Sequence, residues 1–247
     1  MHNKKNSMLL TAVAALLTAN THATEILHYV DADSGLFGAA LSQLGLTSTA
    51  TTHAGFLSAL GSQSWDLVVV DTPGSNVSSA NTSALDAYID AGGLSIISHW
   101  NYDANPTLAT VFDVSVTSSF SSPRGVYVWD STHPLFDGVS GVVDYDRDAG
   151  DNGDRFATIN GATALAGFTP GAESSSAAIV LGNGGRTIAN GWLFWDAALT
   201  ANNINLVANE VDFLLRRPAT PVPEPSGIAL LGFGLAGIGA TRKLRKR

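Results

Sequence analysis

The chain has 247 residues, a formal net charge of −8 and no cysteine, which excludes disulfides, a thiol nucleophile and a thiolate metal site. Between Thr24 and Leu215 there is no lysine, and four arginines stand against twenty acidic residues, a net charge of −16. A surface this acidic repels nucleic acid and anionic lipid, so neither is expected as a partner, whereas cations and neutral or basic glycans remain compatible.

The first 23 residues have the pattern of a secretory signal peptide. Lys4 and Lys5 precede the apolar run Met8–Leu17, and small residues surround the end at Ala23. The run is too short for a membrane span, and its basic flank is typical of a leader. We therefore expect cleavage after Ala23 and export of a single domain over residues 24–215.

Strands and helices alternate in the first half of that domain. The runs with strand character are Glu25–Val30, Ser48–Thr52, Trp65–Val70 and Leu94–His99. Apolar residues at helical spacing between them predict helices over 36–44, 54–60 and around Leu85–Ile89, the last capped by Asn81, Thr82 or Ser83. This alternation predicts an α/β fold with a mostly parallel sheet flanked by helices.

The second half has a different pattern of short strands and turns, including a strand at Arg124–Trp129. Residues Gly182-Asn183-Gly184-Gly185 separate the strand-like runs Ala177–Leu181 and Arg186–Trp195. An Asn-Gly step favours a tight turn with positive φ, so these runs predict an added β-hairpin region. A closing helix follows, with Asn202 or Asn203 as its predicted cap.

Several short motifs occur in a fixed order along the domain. They are Asp66–Asp71, Gly92-Gly93 before Leu94–His99, Thr132-His133-Pro134-Leu135-Phe136-Asp137-Gly138, Gly184-Gly185-Arg186 and Asn209-Glu210-Val211. Together they resemble the class I glutamine amidotransferase-like fold, a flavodoxin-like arrangement. Catalytic members of that family have a cysteine after the strand that corresponds to Leu94–His99, where this chain has Ser98-His99-Trp100. The resemblance therefore implies a fold and not the cysteine-dependent reaction.

The ends of the predicted strands carry a candidate ligand pocket, because open α/β sheets bind ligands beyond the carboxyl ends of their strands. Its candidate residues are Asp31, Asp33, Asp71, His99, Trp100, Asp103 and His133. They would suit a cation or a sugar, with Trp100 as a stacking platform. The alternative is that the aspartates cap helices and form turns. Ser98 and His99 are not expected to act as a pair, because neighbours on a strand point to opposite faces.

The acidic segment 144–154 is a candidate calcium loop. Asp144, Asp146 and Asp148 fill its first, third and fifth ligand positions with the oxygen ligands that Ca²⁺ prefers. Ala149 replaces the expected glycine, and Arg155 replaces the expected bidentate glutamate. The alternative is a solvated acidic loop, and no cofactor other than calcium is expected.

The C-terminal tail has three parts in order. A linker over 216–226 contains Val222-Pro223-Glu224-Pro225, a hydrophobic helix is predicted over 227–241, and a basic end covers 242–247. The apolar run 227–240 would span roughly 21 Å against about 30 Å of hydrocarbon, which suits transient anchoring. These parts resemble the PEP-CTERM sorting signal of Gram-negative bacteria, which implies an exosortase-type membrane protease as partner. The basic end is expected in the cytoplasm and the domain outside the inner membrane.

Two functional classes fit these observations. The first is a non-catalytic protein of the cell envelope or extracellular matrix, with extracellular polysaccharide as a compatible partner. The second is a degenerate hydrolase of extracellular polymer that uses Asp71 or Asp103 with His99 or His133. The missing nucleophile favours the first class, and convergence of those four side chains in one pocket would favour the second.

Overall fold

A mixed β-sheet forms the centre of the domain, in a computed structural model that describes residues 23–141, 143–148 and 153–216. The strands within these ranges are β1 (Ile26–Val30), β2 (Thr49–Thr51), β3 (Leu67–Thr72), β4 (Ser95–His99), β5 (Val114–Phe120), β6 (Tyr127–Val128), β7 (Gly153–Thr158), β8 (Thr163–Gly167), β9 (Ala177–Gly182) and β10 (Thr187–Asn190). The helices are α1 (Leu36–Leu44), α2 (Phe56–Leu60), α3 (Ser79–Asp90), α4 (Pro106–Val111) and α5 (Ala201–Leu215).

The strand order of the sheet is β2-β1-β3-β4-β10-β9-β7-β5. The first five strands in this order run parallel to one another. The remaining strands pair antiparallel, with β8 added to β9 and β6 added to β8. The parallel part confirms the predicted α/β class, and the antiparallel part is larger than the hairpin that the sequence indicated.

The central strand β3 is buried on both faces, which explains its unbroken apolar sequence. Leu67 and Val69 face the core that α1 and α5 cover, whereas Val68 and Val70 face the core that α2, α3 and α4 cover. The sheet is therefore enclosed between two helical layers. We call these the α5 face and the α3 face.

Two helix starts differ from the prediction. Ser78, not a residue of 81–83, caps α3 by accepting a hydrogen bond from the Asn81 backbone N–H at 3.2 Å. The helix α4 was not predicted, although Asn105 caps it and Pro106 occupies its first turn, where proline is well tolerated. The predicted strand at 124–129 is also too long, since only Tyr127–Val128 pair.

The predicted hairpin is confirmed as β9 and β10, which pair antiparallel, but β10 ends at Asn190 and not at the predicted Trp195. Asn183, Gly184 and Gly185 all have positive φ in the connection, which glycine tolerates without strain. The next residue, Arg186, donates hydrogen bonds to the carbonyl of Ile89 in the last turn of α3 and to that of Gly93 beyond the helix end. A cation at that position complements the negative end of the helix dipole.

Within the described ranges, no helix has the length and apolarity that crossing a membrane requires. Residues 1–22 of the signal peptide predicted over 1–23, Val142, the segment 149–152 and the tail from Arg217 onward lie outside the described residues. The predictions of a leader, a linker, a membrane helix and a basic end therefore rest on the sequence.

Candidate functional site

Buried polar residues cross the parallel strands near their carboxyl ends. The register aligns Asp71 of β3 with Ser98 of β4, and Ser98 with Asn190 of β10. All three are buried and lie on the α5 face, because each comes two positions after a strand residue of that core, namely Val69, Ile96 and Ile188. We call Asp71, Ser98 and Asn190 the polar row.

Asp71 begins the polar row beside a histidine of β1. Its Oδ2 lies 3.8 Å from Nε2 of His28, which is beyond hydrogen-bond distance. Burial raises the pKa of Asp71, and the nearby His28 opposes part of this rise. The Phe37 ring of α1 packs against the His28 ring, with the two ring centroids 4.6 Å apart. Asp71 is 1% exposed, so this carboxyl does not meet a substrate in the bulk solvent.

Ser98, the candidate serine nucleophile, lies within β4 next to His99. Its Oγ donates a hydrogen bond to the Trp192 carbonyl at 3.2 Å and accepts one from the Phe194 backbone N–H at 3.0 Å. Its side chain is completely buried. The hydroxyl therefore fixes the chain segment that follows β10 and has no free path to a substrate.

Asn190 of the polar row contacts Glu210 of α5, a residue that the sequence did not single out as a site candidate. The Asn190 side-chain amide donates to Glu210 Oε2 at 3.0 Å, and burial raises the pKa of Glu210 to about 8. The sequence does indicate that Glu210 is buried. It comes three positions after Val207 and four before Leu214, so helical spacing places it on the buried side of α5. A protonated carboxyl in this position is a structural group of the core.

The two candidate histidines lie on opposite faces of the sheet. His99 Nδ1 lies 2.8 Å from the Thr72 hydroxyl, and its ring packs edge-on against Tyr102 of the α3 face at 5.2 Å. Burial lowers the pKa of His99 to about 4. His133 packs against Phe213 of α5 at 4.9 Å, and burial lowers its pKa as well. The sheet therefore separates the two rings.

The remaining candidates mostly form turns. Asp31, Asp33 and Asp103 accept hydrogen bonds from the backbone N–H groups of Gly74, Gly35 and Ala104, respectively. These are the contacts expected of turn-forming aspartates. Trp100 is half-buried and follows β4 directly. Because the sheet separates His99 from His133, the seven candidates do not form one cluster. Smaller groups among them do interact, since the charge of Asp103 raises the pKa of His99 and those of Asp31 and Asp33 raise the pKa of Asp71.

In the described part of the acidic loop, the carboxylates of Asp144 and Asp146 contact neighbouring residues. Asp144 accepts a hydrogen bond from the Thr200 hydroxyl at 3.0 Å, and Asp146 lies 3.8 Å from the Arg147 guanidinium. Asp148 is exposed. Within the ranges that the structure covers, no group of three or more acidic or histidine side chains is placed to hold a metal. Because 149–152 lie outside those ranges, calcium binding by this loop stays a prediction.

Comparison with known proteins identifies the tail and the fold separately. Residues 221–246 match the PEP-CTERM protein-sorting motif, which confirms the resemblance of the tail to within one residue at each end. No curated protein sequence matches the chain.

Three solved structures illustrate the likeness of the fold. A glutamine amidotransferase from Thermotoga maritima has a TM-score of 0.55 at 10% identity, with 79% of this chain and 100% of that chain covered. A candidate GMP synthase protein from Thermoplasma acidophilum has a TM-score of 0.53 at 13% identity, with 78% and 95% covered. A ThuA-like protein from Parabacteroides merdae has a TM-score of 0.50 at 12% identity, with 82% and 94% covered.

The described domain thus has an α/β fold of the glutamine amidotransferase-like class, and identities this low show the fold alone. The matched motif further shows an exported protein that is sorted by exosortase, a membrane protease, and whose tail is anchored in the membrane before cleavage.

Proposed function

We propose that the domain is a non-catalytic protein of the cell envelope or extracellular matrix, separated from its tail by exosortase after export. The observation that carries this proposal is the state of Ser98. A serine nucleophile needs a base within hydrogen-bond reach and an exposed hydroxyl. The Ser98 hydroxyl donates to one backbone carbonyl and accepts from one backbone N–H, and its side chain is completely buried.

The other titratable groups support the same proposal. A general base needs a pKa near the working pH and access to a substrate. His99 is buried, and its pKa of about 4 leaves the ring neutral and weakly basic. Asp71 is enclosed beside His28 and Phe37. Asp103 lies exposed on the loop after β4, and its charge raises the pKa of His99 by less than burial lowers it.

A fluorophosphonate probe, which labels activated serines, tests the proposal on the full-length chain. We expect no labelling of Ser98, while a known serine hydrolase added to the same sample reacts completely. Labelling that Ser98→Ala abolishes would overturn the proposal. Hydrolysis of an extracellular polymer that Asp71→Asn or His99→Ala abolishes would also overturn it and establish the hydrolase alternative.

A further inference from the structure

Strand β5 forms one edge of the sheet. It is last in the strand order and pairs with β7 alone among the described strands. Every second residue of an edge strand directs its backbone N–H and C=O away from the sheet. Apart from the pairing with β7, the described ranges contain no backbone–backbone hydrogen bond of Val114–Phe120. This edge is therefore open to a further strand.

The sequence of β5 lacks the features that usually close such an edge. Natural proteins keep edge strands short or place a charge or a proline on them. Strand β5 has seven residues, none of them charged and none of them proline, whereas β2 at the opposite edge has three. Its register with β7 shifts between Val116 and Ser118, and the strand pairs regularly before and after this point. Addition of another strand is therefore possible over most of its length.

A groove of about 440 Å³ lies beside this edge. Residues 115–119 of β5 form one wall, and Asp103, Pro106, Ala109 and Thr110 form the other. The volume is within the range of about 300–1,000 Å³ that is typical of ligand sites. The groove is on the α3 face, because α4 packs against that core. Side chains of an added strand that point to this face would enter the groove.

The charge of the groove comes from Asp103, which is exposed. Two arginines are near β5 but on the opposite face. Arg155 precedes Phe156, a residue of the α3 face, so its own side chain points to the α5 face. Arg124 stacks on Phe120, whose ring belongs to the α5 face. Among the described residues that line the groove, no cation compensates the carboxylate.

The charge of the whole domain favours the same kind of ligand. The net charge between Thr24 and Leu215 is −16. Such a domain attracts basic segments and repels acidic segments and a second copy of itself. Strand addition supplies backbone hydrogen bonds, and a groove beside the strand selects the side chains.

We propose that the groove beside β5 binds an extended, basic peptide segment of a partner protein, which adds to β5 as a further strand. Its backbone pairs with the open edge, and one of its lysine or arginine side chains pairs with Asp103. The groove is independent of the catalytic state of Ser98.

Fluorescence anisotropy on the full-length chain tests this site with labelled seven-residue peptides. Peptides in which valine alternates with lysine, serine or glutamate are the basic, neutral and acidic probes. We expect the basic peptide to bind most tightly, the acidic one not to bind, and the affinity for the basic one to fall as salt rises. The same basic peptide with N-methylated backbone amides keeps its charge but loses the donors for strand pairing. It should bind at least about tenfold more weakly.

Two variants place the binding at this groove. Ser119 is exposed and lines the groove, so Ser119→Lys puts a cation there and should abolish binding of the basic peptide. Thr49→Lys makes the same change of charge at an exposed position of β2, on the opposite edge, and should bind normally. Asp103→Asn should weaken binding by about twofold to fivefold, the usual effect of one exposed ion pair.

The proposal is wrong if the basic peptide does not bind, if the neutral or the N-methylated peptide binds as tightly, or if Ser119→Lys and Thr49→Lys reduce binding equally. Sedimentation of the full-length chain provides a further check. A dimer that Ser119→Lys dissociates would assign the edge to a second copy of the chain and overturn the proposal as well.

Discussion

Glu210 and His99 show, at the scale of single residues, how burial sets the charge state of a side chain. Glu210 faces Asn190 within the α5 face, and His99 faces Thr72 within the opposite core. Desolvation is the largest cause of both shifts, raising the pKa of Glu210 and lowering that of His99. Both groups are therefore mainly neutral in the folded protein at neutral pH.

These two groups predict how stability depends on pH. Between pH 4.5 and about 8 the folded state keeps a proton on Glu210 that the unfolded state releases, so stability falls as pH rises. Between about pH 4 and 6.5 the unfolded state protonates His99 and the folded state does not, so stability falls as pH decreases. The two slopes oppose each other up to pH 6.5. Above pH 6.5 the contribution of His99 is constant, and Glu210 lowers stability by up to about 1.4 kcal/mol per pH unit.

Urea unfolding of the full-length chain from pH 5 to 8.5 measures this dependence. We expect nearly constant stability from pH 5 to 6.5 and a decline toward pH 8. Glu210→Gln keeps an acceptor for Asn190 and should remove most of the decline. An equal decline in the parent and in the variant would contradict the role given to Glu210.

At the scale of elements, the sequence predicts an element well where its pattern is continuous. The apolar run of β3 and the Asn-Gly turn between β9 and β10 lie where their local chemistry placed them. The short helix α4 was missed because six residues give too few apolar repeats to recognise, despite the Asn105-Pro106 start.

The candidate site was harder to predict, because it depends on which face each residue reaches. His99 and His133 are both near strand or turn ends in the sequence, yet the sheet separates them. The contact of Asp71 with His28 joins residues 43 positions apart, and no local pattern specifies it. The same is true of Glu210, whose partner Asn190 belongs to a different element.

The start of α5 gives a prediction at this scale. Thr200, and not Asn202 or Asn203, caps the helix by accepting from the Asn203 N–H at 3.3 Å, and it donates to Asp144. Thr200→Ala should lower the free energy of unfolding by about 1 kcal/mol, the usual value of such a cap. Thr200→Ser keeps the hydroxyl and should lose much less. Urea unfolding of both variants checks this, and equal losses would show that the hydroxyl is unimportant.

At the scale of the whole molecule, charge divides the chain into two parts. The domain between Thr24 and Leu215 carries a net charge of −16, whereas residues 242–247 contain five basic residues and no acidic one. A basic end holds its side of a membrane anchor in the cytoplasm, and the acidic domain has no attraction to anionic lipid. The matched motif at 221–246 joins these two parts.

The most direct test is the mass and location of the chain in a Gram-negative host with and without its exosortase. With exosortase, intact-mass spectrometry should find a protein that begins at Thr24, lacks the apolar run 227–240 and is separated from the inner membrane. Without it, or when Pro223, Glu224 and Pro225 are replaced by alanine, the run should remain and the protein should fractionate with the inner membrane. Pro218→Ala, outside the motif, should be processed normally. An identical uncut mass in both hosts, or normal processing of the triple variant, would contradict sorting through this tail.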